Sequence, residues 1–279
     1  LAANTPLIGT GTWTVIAGTA SVTSVNDPNS GVTGLTTGVN TFRWTITNGT
    51  CTPSTDDITI NVDELPTTAD AGLDQTICSP TATLSANTPL IGTGTWTVIA
   101  GTGAVTSVND PNSGVTGLTT GINTFRWTIT NGTCTPSTDD ITINVDQLPT
   151  TADAGLDQTI CSPTATLAAN TPVIGSGAWT VIAGTATVTT PASPTSGVTG
   201  LTTGVNTFRW TISSGTCTPS TDDITINVDQ LPTTAAAGLD QTICSPTATL
   251  AANTPVIGTG TWTVIAGTAT VTNVNDPNS

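Results

Sequence analysis

Residues 124–130 read Thr-Phe-Arg-Trp-Thr-Ile-Thr, a run in which every second side chain is apolar. Alternation with a period of two is typical of a β-strand that buries one face, here the face of Phe125, Trp127 and Ile129. An Asn-Gly pair follows, a frequent tight turn between antiparallel strands. Residues 139–145, Asp-Asp-Ile-Thr-Ile-Asn-Val, then alternate again. The stretch therefore predicts a β-hairpin with one face in an apolar core.

This hairpin sequence recurs along the chain at a fixed interval. Trp44, Trp127 and Trp210 follow each other at steps of 83 residues, and two cysteine series keep the same step. Dividing 279 residues by 83 gives about 3.4 copies. Because a unit of this size can bury its own small core, the repeat predicts an array of domains and not a solenoid of dependent turns. The predicted domains are a partial repeat at 1–65, complete repeats at 66–148 and 149–231, and a partial repeat at 232–279.

Within one repeat, Gly, Pro, Asn and Asp separate seven short runs that favour β-structure, a spacing typical of all-β sandwiches. In the second repeat we place these strands at 74–78, 81–86, 95–99, 104–108, 115–118, 124–130 and 139–145. The third strand carries Trp96 and Val98 on its inner face, and the sixth is rich in aromatic residues. These features predict an all-β fold of tandem immunoglobulin-like sandwich domains in a linear array. The predicted core residues are Trp13, Trp44, Trp96, Phe125, Trp127, Trp179, Trp210 and Trp262.

The charge balance excludes several classes of partner. The chain has 18 acidic residues, three Arg, no Lys and no His, which gives a net charge of −15. Such a chain repels phosphate backbones and anionic lipid, so we predict neither nucleic-acid binding nor direct membrane-surface binding. Only 8% of the residues are charged, so solubility rests on Thr, Ser, Asn and Gly. This surface suits an extracellular protein.

Catalytic chemistry has few of its usual residue types here. The chain lacks His, Lys and Tyr, which removes the common general bases and Schiff-base nucleophiles. Carboxylate pairs can hydrolyse glycosides, but the pair Asp139-Asp140 recurs in every repeat on an exposed strand, which favours a structural role. We therefore predict that the chain is not an enzyme and has no catalytic or cofactor-binding residues.

The first and last residues both fall inside a repeat, and the chain contains no Met and no signal peptide. It also lacks an apolar run of about 18 residues, so we expect no membrane insertion in this segment. We interpret the sequence as an internal segment of a longer polypeptide.

Six strings of one repeat carry a resemblance to a known family. They are AGLDQTIC, TLSAN, GTGTWTV, GVTGL, NTFRWTITNGTC and STDDITINV, in this order and spacing. The chain resembles, repeat by repeat, the PKD-like or Ig-like repeats of large Bacteroidota surface adhesins, including gliding-motility adhesins. The resemblance implies a β-sandwich stalk, export to the cell surface and the type IX secretion route.

The six cysteines, two per repeat, indicate structural disulfides formed in an oxidising compartment. One pairing is within domains, Cys78 with Cys134 and Cys161 with Cys217. The sandwich topology argues against it, because the two cysteines should lie at opposite ends of strands about 23 Å long. In a head-to-tail array, Cys78 would instead meet Cys217 of the next domain. Free or interchain thiols are the third alternative.

Acidic residues crowd the segments between repeats. The calcium candidates are Asp63, Glu64, Asp70 and Asp74 in the first linker, and Asp146, Asp153 and Asp157 stand in the second. In the third linker Ala236 replaces the Asp found at positions 70 and 153. The chain also lacks an EF-hand-like string, so solvated acidic linkers without a metal are the preferred interpretation.

Two further patterns recur. Each repeat has a single Arg beside an Asp-Asp pair on the neighbouring strand, which predicts a cross-strand ion pair. Asn48-Gly-Thr50 and Asn131-Gly-Thr133 match the glycosylation sequon, whereas the third repeat has Ser214 in place of the Asn.

The near identity of the repeats favours a structural stalk that projects a distal binding region for adhesion or gliding. Its partners would be neighbouring repeats of the same chain, and surface polysaccharide or other cells through the distal region. One alternative is a multivalent polysaccharide-binding module, which would need exposed aromatic side chains. Another is a self-assembling sheath or S-layer-like polymer.

Overall fold

The computed structural model describes all residues from Leu1 to Ser279, with nineteen β-strands and no helix. The chain divides into two compact units, Leu1–Asp146 and Gln147–Ser279. The structure contains no helix with the length and apolar character needed to span a membrane.

The first unit contains twelve strands. Residues 1–65 form β1 (Thr10–Ala17), β2 (Ser21–Val22), β3 (Val32–Thr33), β4 (Gly38–Thr47) and β5 (Ser54–Val62). Residues 66–148 form β6 (Gln75–Ile77), β7 (Ala82–Thr83), β8 (Thr93–Ala100), β9 (Ala104–Val105), β10 (Gly114–Thr116), β11 (Gly121–Thr130) and β12 (Ser137–Val145).

The second unit contains seven strands. They are β13 (Gln158–Ile160), β14 (Thr164–Ala168), β15 (Ser176–Ala183), β16 (Thr187–Val188), β17 (Thr195–Thr199), β18 (Gly204–Ser213) and β19 (Ser220–Val228). Residues 232–279 form turns and irregular segments without a strand.

Each complete repeat is built from two sheets. In the second repeat, one sheet has the order β6-β12-β11-β8 and the other β7-β10-β9. The third repeat has the same arrangement, β13-β19-β18-β15 and β14-β17-β16. All pairings are antiparallel except those of β6 with β12 and β13 with β19. The predicted all-β fold of tandem immunoglobulin-like sandwiches is confirmed.

The core lies between the two sheets and follows from the alternation of β11 and β12. Phe125 is opposite Ile141 in the register, and both are fully buried. Trp127, Ile129 and Ile143 are equally buried, while the threonines between them face outward. Burying one such side chain contributes about 1.5–3 kcal/mol, so this hairpin supplies much of the stability of its repeat.

A tryptophan pair fills the centre of each of the three cores. Trp96 and Trp127 are cross-strand neighbours, with ring centroids 5.0 Å apart and planes tilted by 44°. The indole of Trp127 lies on Gly94, where an added Cβ would come within 2.0 Å of Cζ2. A glycine at position 94 is therefore required by the neighbouring ring. The buried counterparts are Trp13 with Trp44 and Trp179 with Trp210.

One position predicted to face inward is wrong. Val98 is 43% exposed, because β8 is an edge strand and its pairing with β11 shifts register directly after Val98. Such a bulge interrupts the alternation on which the prediction depended. Trp262 is half-buried and lies in a segment, residues 232–279, that forms no strand.

Candidate functional site

The end of the first repeat contacts a turn of the second repeat within the first unit. The turn comprises residues 131–134, Asn-Gly-Thr-Cys, between β11 and β12, and we call it the NGTC turn. The backbone N–H of Thr133 donates to Oδ2 of Asp63 over 2.7 Å, and the Thr133 hydroxyl donates to the same oxygen over 3.0 Å. Nδ2 of Asn131 donates to the carbonyl of Glu64 over 2.7 Å. Three donors of one turn thus hold two consecutive linker residues.

The turn and the carboxylate fit each other closely. Gly132 has a φ of +50°, and a Cβ added there would lie 2.0 Å from Oδ2 of Asp63. The Thr133 N–H, and secondarily its hydroxyl, stabilise the charged form and hold the pKa of Asp63 below its usual value. Nδ2 of Asn61 donates to the other carboxylate oxygen over 3.2 Å. The carboxylate is therefore oriented by its own strand and bound by the next repeat.

The four calcium candidates have separate roles in the structure. Asp63 binds the NGTC turn, and Glu64 contributes its carbonyl. Oδ1 of Asp70 accepts the N–H of Gly72 over 2.9 Å, and Oδ1 of Asp74 accepts the N–H of Thr142 over 2.7 Å. No group of three or more His, Cys, Asp or Glu side chains lies close enough together to hold a metal ion.

A second set of contacts fastens the linker to the domain that follows it. Oδ2 of Asp139 accepts the N–H of Ala71 over 2.7 Å, and Oγ of Ser137 accepts the N–H of Ala69 over 2.8 Å. Asp222 and Ser220 repeat these bonds in the third repeat. The sequence analysis did not predict that Asp139 binds the linker. The Asp-Asp pair was the available signal, because the single Arg pairs with only one of its two carboxylates.

The predicted cross-strand ion pair is confirmed in all three repeats that contain the Arg. Arg126 donates to both oxygens of Asp140, over 2.7 and 2.8 Å, and its guanidinium lowers the pKa of that carboxyl. Both side chains are about 40% exposed, at 42% and 38%. Because solvent screens the attraction between such exposed charges, the pair adds little to the stability of the fold. Arg43 with Asp57 and Arg209 with Asp223 form the same pair.

A buried asparagine was also missed. Asn123 is fully buried at the start of β11, and its Nδ2 donates to the carbonyls of Thr119 over 2.8 Å and Gly121 over 3.1 Å. Satisfying these loop carbonyls fixes the entry of the strand. The alternation of residues 123–129 placed position 123 inward, which was the available signal.

The cysteines divide into two states. Cys78 and Cys217 are disulfide-bonded, whereas Cys51, Cys134, Cys161 and Cys244 carry free thiols. The intradomain alternative is therefore wrong. Cys78 and Cys134 do not pair because β6 and β12 run parallel. Cys78 follows β6 at the end where β12 finishes, while Cys134 precedes the start of β12.

Residues 232–279 contain a cavity of about 250 Å³. Alanines 235, 237 and 252 line it together with Ile257 and Trp262. In the second repeat the equivalent of Trp262 is Trp96, which is covered by Trp127. The cavity thus lies beside Trp262, and no group of three or more His, Cys, Asp or Glu side chains forms a metal site in it.

No protein-family model and no curated protein sequence matches the chain. Among solved structures, it is similar to three immunoglobulin domains of titin, I67–I69, at 8% identity with a TM-score of 0.46, over 79% of this chain and 87% of that one. It is also similar to the fibronectin(III)-like modules of Clostridium thermocellum CbhA at 11% identity with a TM-score of 0.31, over 60% and 95%. A protocadherin gammaB7 EC3-6 cis-dimer structure matches at 14% identity with a TM-score of 0.34, over 79% and 67%.

Proposed function

We propose that the chain is a stalk segment of a long extracellular filament or surface adhesin, which projects a distal binding region for adhesion or gliding. The observation that carries the proposal is the bound carboxylate of Asp63, which joins the end of one repeat to the NGTC turn of the next through Thr133 and Gly132. Asp63 and Thr133 recur at the equivalent positions of the other repeats, and in this contact they connect one repeat to the next.

A covalent link between repeats belongs to the same proposal. Cys78 and Cys217 are disulfide-bonded while the other four cysteines are free, so we infer that these two bond to each other. Structural disulfides persist in oxidising surroundings, which supports placing the chain outside the cell, at its surface. Export by the type IX route in Bacteroidota is part of this proposal and depends on the sequence resemblance.

The stalk is preferred to multivalent polysaccharide binding because of the aromatic side chains. The six tryptophans of the first three repeats are at most 4% exposed, so they offer no stacking surface for sugar rings. The three Arg side chains are each paired with an Asp on the neighbouring strand, as Arg126 is with Asp140.

Immunogold electron microscopy of cells that produce the chain would test the proposal. An antibody against the repeat is expected to label filaments at intervals along the shaft. Labelling confined to the filament tip would indicate a binding module, and labelling of a continuous layer around the cell would indicate a sheath. Either pattern would contradict the stalk.

A further inference from the structure

Asn131 and Gly132 are consecutive residues of the NGTC turn between β11 and β12. We propose that Asn131 is a site of spontaneous deamidation, and that its conversion to aspartate or isoaspartate releases the end of the first repeat from the second repeat. The proposal goes beyond the stalk proposal, because it concerns the contact itself and not the role of the chain.

The Asn-Gly pair can react with water as the only other reactant. Gly132 has no Cβ beside its backbone nitrogen, so this nitrogen is accessible to the side chain of the preceding residue. The nitrogen attacks Cγ of Asn131 and forms a new N–C bond, while the bond from Cγ to Nδ2 breaks and the amide nitrogen leaves as ammonia with the proton of the Gly132 N–H. Water then opens the cyclic imide at one of its carbonyls, which gives aspartate or isoaspartate at position 131.

The atom lost in this reaction is a donor that holds the linker. Nδ2 of Asn131 donates to the carbonyl of Glu64 over 2.7 Å. The carboxylate that replaces the amide has acceptor oxygens only, so it faces the Glu64 carbonyl without a hydrogen to share. Deamidation therefore converts this hydrogen bond into a repulsion between two acceptors.

The product also disturbs the neighbouring carboxylate of Asp63. A Cβ added at Gly132 would overlap Oδ2 of Asp63, so this carboxylate packs directly on the residue that follows the new charge. Like charges placed so close repel each other. In isoaspartate the main chain is also longer by one carbon atom before Gly132, which moves the N–H and the hydroxyl of Thr133 away from the oxygen that they bind. One reaction therefore weakens all three hydrogen bonds of the contact.

The intact contact protects Asn131. Its side chain is partly covered and bonded to Glu64, and its carbonyl accepts the N–H of Cys134 over 3.1 Å. The reaction needs freedom of this side chain and of the Gly132 backbone, so it proceeds from the locally opened turn. Its rate therefore follows the opened fraction of the contact, and each conversion makes that opening permanent.

The third repeat has the same turn without the reactive amide. Ser214 stands at the position of Asn131, and Gly215 has a φ of +48°, close to the +50° of Gly132. The N–H of Cys217 donates to the Ser214 carbonyl over 3.0 Å, which closes the turn. Serine has no amide to lose, so the chain contains its own unreactive control.

Tryptic peptide mapping with mass spectrometry, on the full chain incubated at neutral pH, would test this proposal. Cleavage after Arg126 and Arg209 places Asn131 on a peptide of its own, and fragment spectra locate the modified residue. We expect conversion at Asn131 that increases with time. Hydrogen exchange of the same samples should show that linker residues 61–66 lose protection in proportion to the converted fraction.

Two variants separate the rate of the reaction from its consequence. Asp63→Ala removes the carboxylate held by Thr133, so the turn opens more often and conversion at Asn131 should be at least about tenfold faster. Asn131→Asp is the aspartate product, and it should expose residues 61–66 to exchange without incubation. Protection of β11 is followed in both variants as the control for folding.

Three results would overturn the proposal. They are an unconverted Asn131 in Asp63→Ala, equal rates of conversion in that variant and the unchanged chain, and a linker that stays protected in Asn131→Asp. None of them bears on where an antibody labels the filament, so the stalk proposal is tested separately.

Discussion

Trp127 is among the largest fully buried side chains of the second repeat. Its indole is fully buried, contacts Trp96 at a centroid distance of 5.0 Å and lies on Gly94. Removing it leaves a cavity that neighbouring strands cannot close. Trp127→Ala should therefore lower the unfolding free energy of this repeat by about 3–5 kcal/mol. Hydrogen exchange with mass spectrometry, followed on β11 peptides of the full chain, measures the change.

The matched control for this prediction is Thr128→Ala, the next residue along β11 on the exposed face. It should change the same free energy by less than about 0.5 kcal/mol, as surface substitutions usually do. Comparable effects of the two substitutions would contradict the assignment of the faces.

Asp63 gives the junction a defined dependence on pH. Donors on Thr133 lower the pKa of Asp63 in the folded chain. The ionised, bound carboxylate therefore stabilises the junction at pH values above 3.8, the pKa of the group in the unfolded chain. That stabilisation is lost as the pH falls below about 3.8, through the lower folded pKa. We expect the Thr133 amide to lose hydrogen-exchange protection in this range and to retain it at neutral pH. In Asp63→Asn, protection should be reduced at neutral pH and insensitive to acid. An acid transition that persists in this variant would assign the effect to another group.

At the scale of elements, the NGTC turn can be tested by a pair of substitutions. Gly132→Ala and Gly49→Ala introduce the same strain at nearly the same φ, but only the methyl group at 132 meets the Asp63 carboxylate. We predict that Gly132→Ala exposes linker residues 61–66 to hydrogen exchange, whereas Gly49→Ala leaves the linker protected. Equal effects of the two substitutions would mean that turn strain, and not the carboxylate contact, controls the linker.

The long strands could be predicted from sequence because their signal is local. The expected strands at 124–130 and 139–145 are the inner parts of β11 and β12. The predicted strand at 81–86 is reduced to Ala82–Thr83, because pairing with β10 and not propensity sets its length. The bulge after Val98 depends on the register of a partner strand and leaves no local pattern.

The candidate site could be predicted only in part for the same reason. The sequence identified the acidic linkers and the Asn-Gly-Thr turns, but it read the linkers as metal candidates or solvated charge and the turns as sequons. Asp63 and Thr133 are 70 residues apart, so no local pattern connects them. The Arg126–Asp140 pair could be predicted because the register of a hairpin follows from its turn and from the alternation of its strands.

At the scale of the whole molecule, the cysteines provide the sharpest prediction. Peptide mapping of the unreduced protein should find Cys78 joined to Cys217, and thiol labelling should modify Cys51, Cys134, Cys161 and Cys244. Reduction should then add two labelled sites. A peptide joining Cys78 to Cys134 would contradict both the link between repeats and the parallel placement of β6 beside β12.

The parallel pairing of the first and last strands has a mechanical consequence. Gln75, Thr76 and Ile77 of β6 lie beside Ile143, Asn144 and Val145 of β12, and the chain enters through one strand and leaves through the other. Tension applied to the two ends of the repeat therefore pulls these neighbours in opposite directions along their length. Their hydrogen bonds are loaded together in shear, whereas an antiparallel hairpin pulled open at its free end would lose its bonds one after another. The third repeat places β13 beside β19 in the same way, so each complete repeat meets a pulling load through a short parallel ladder.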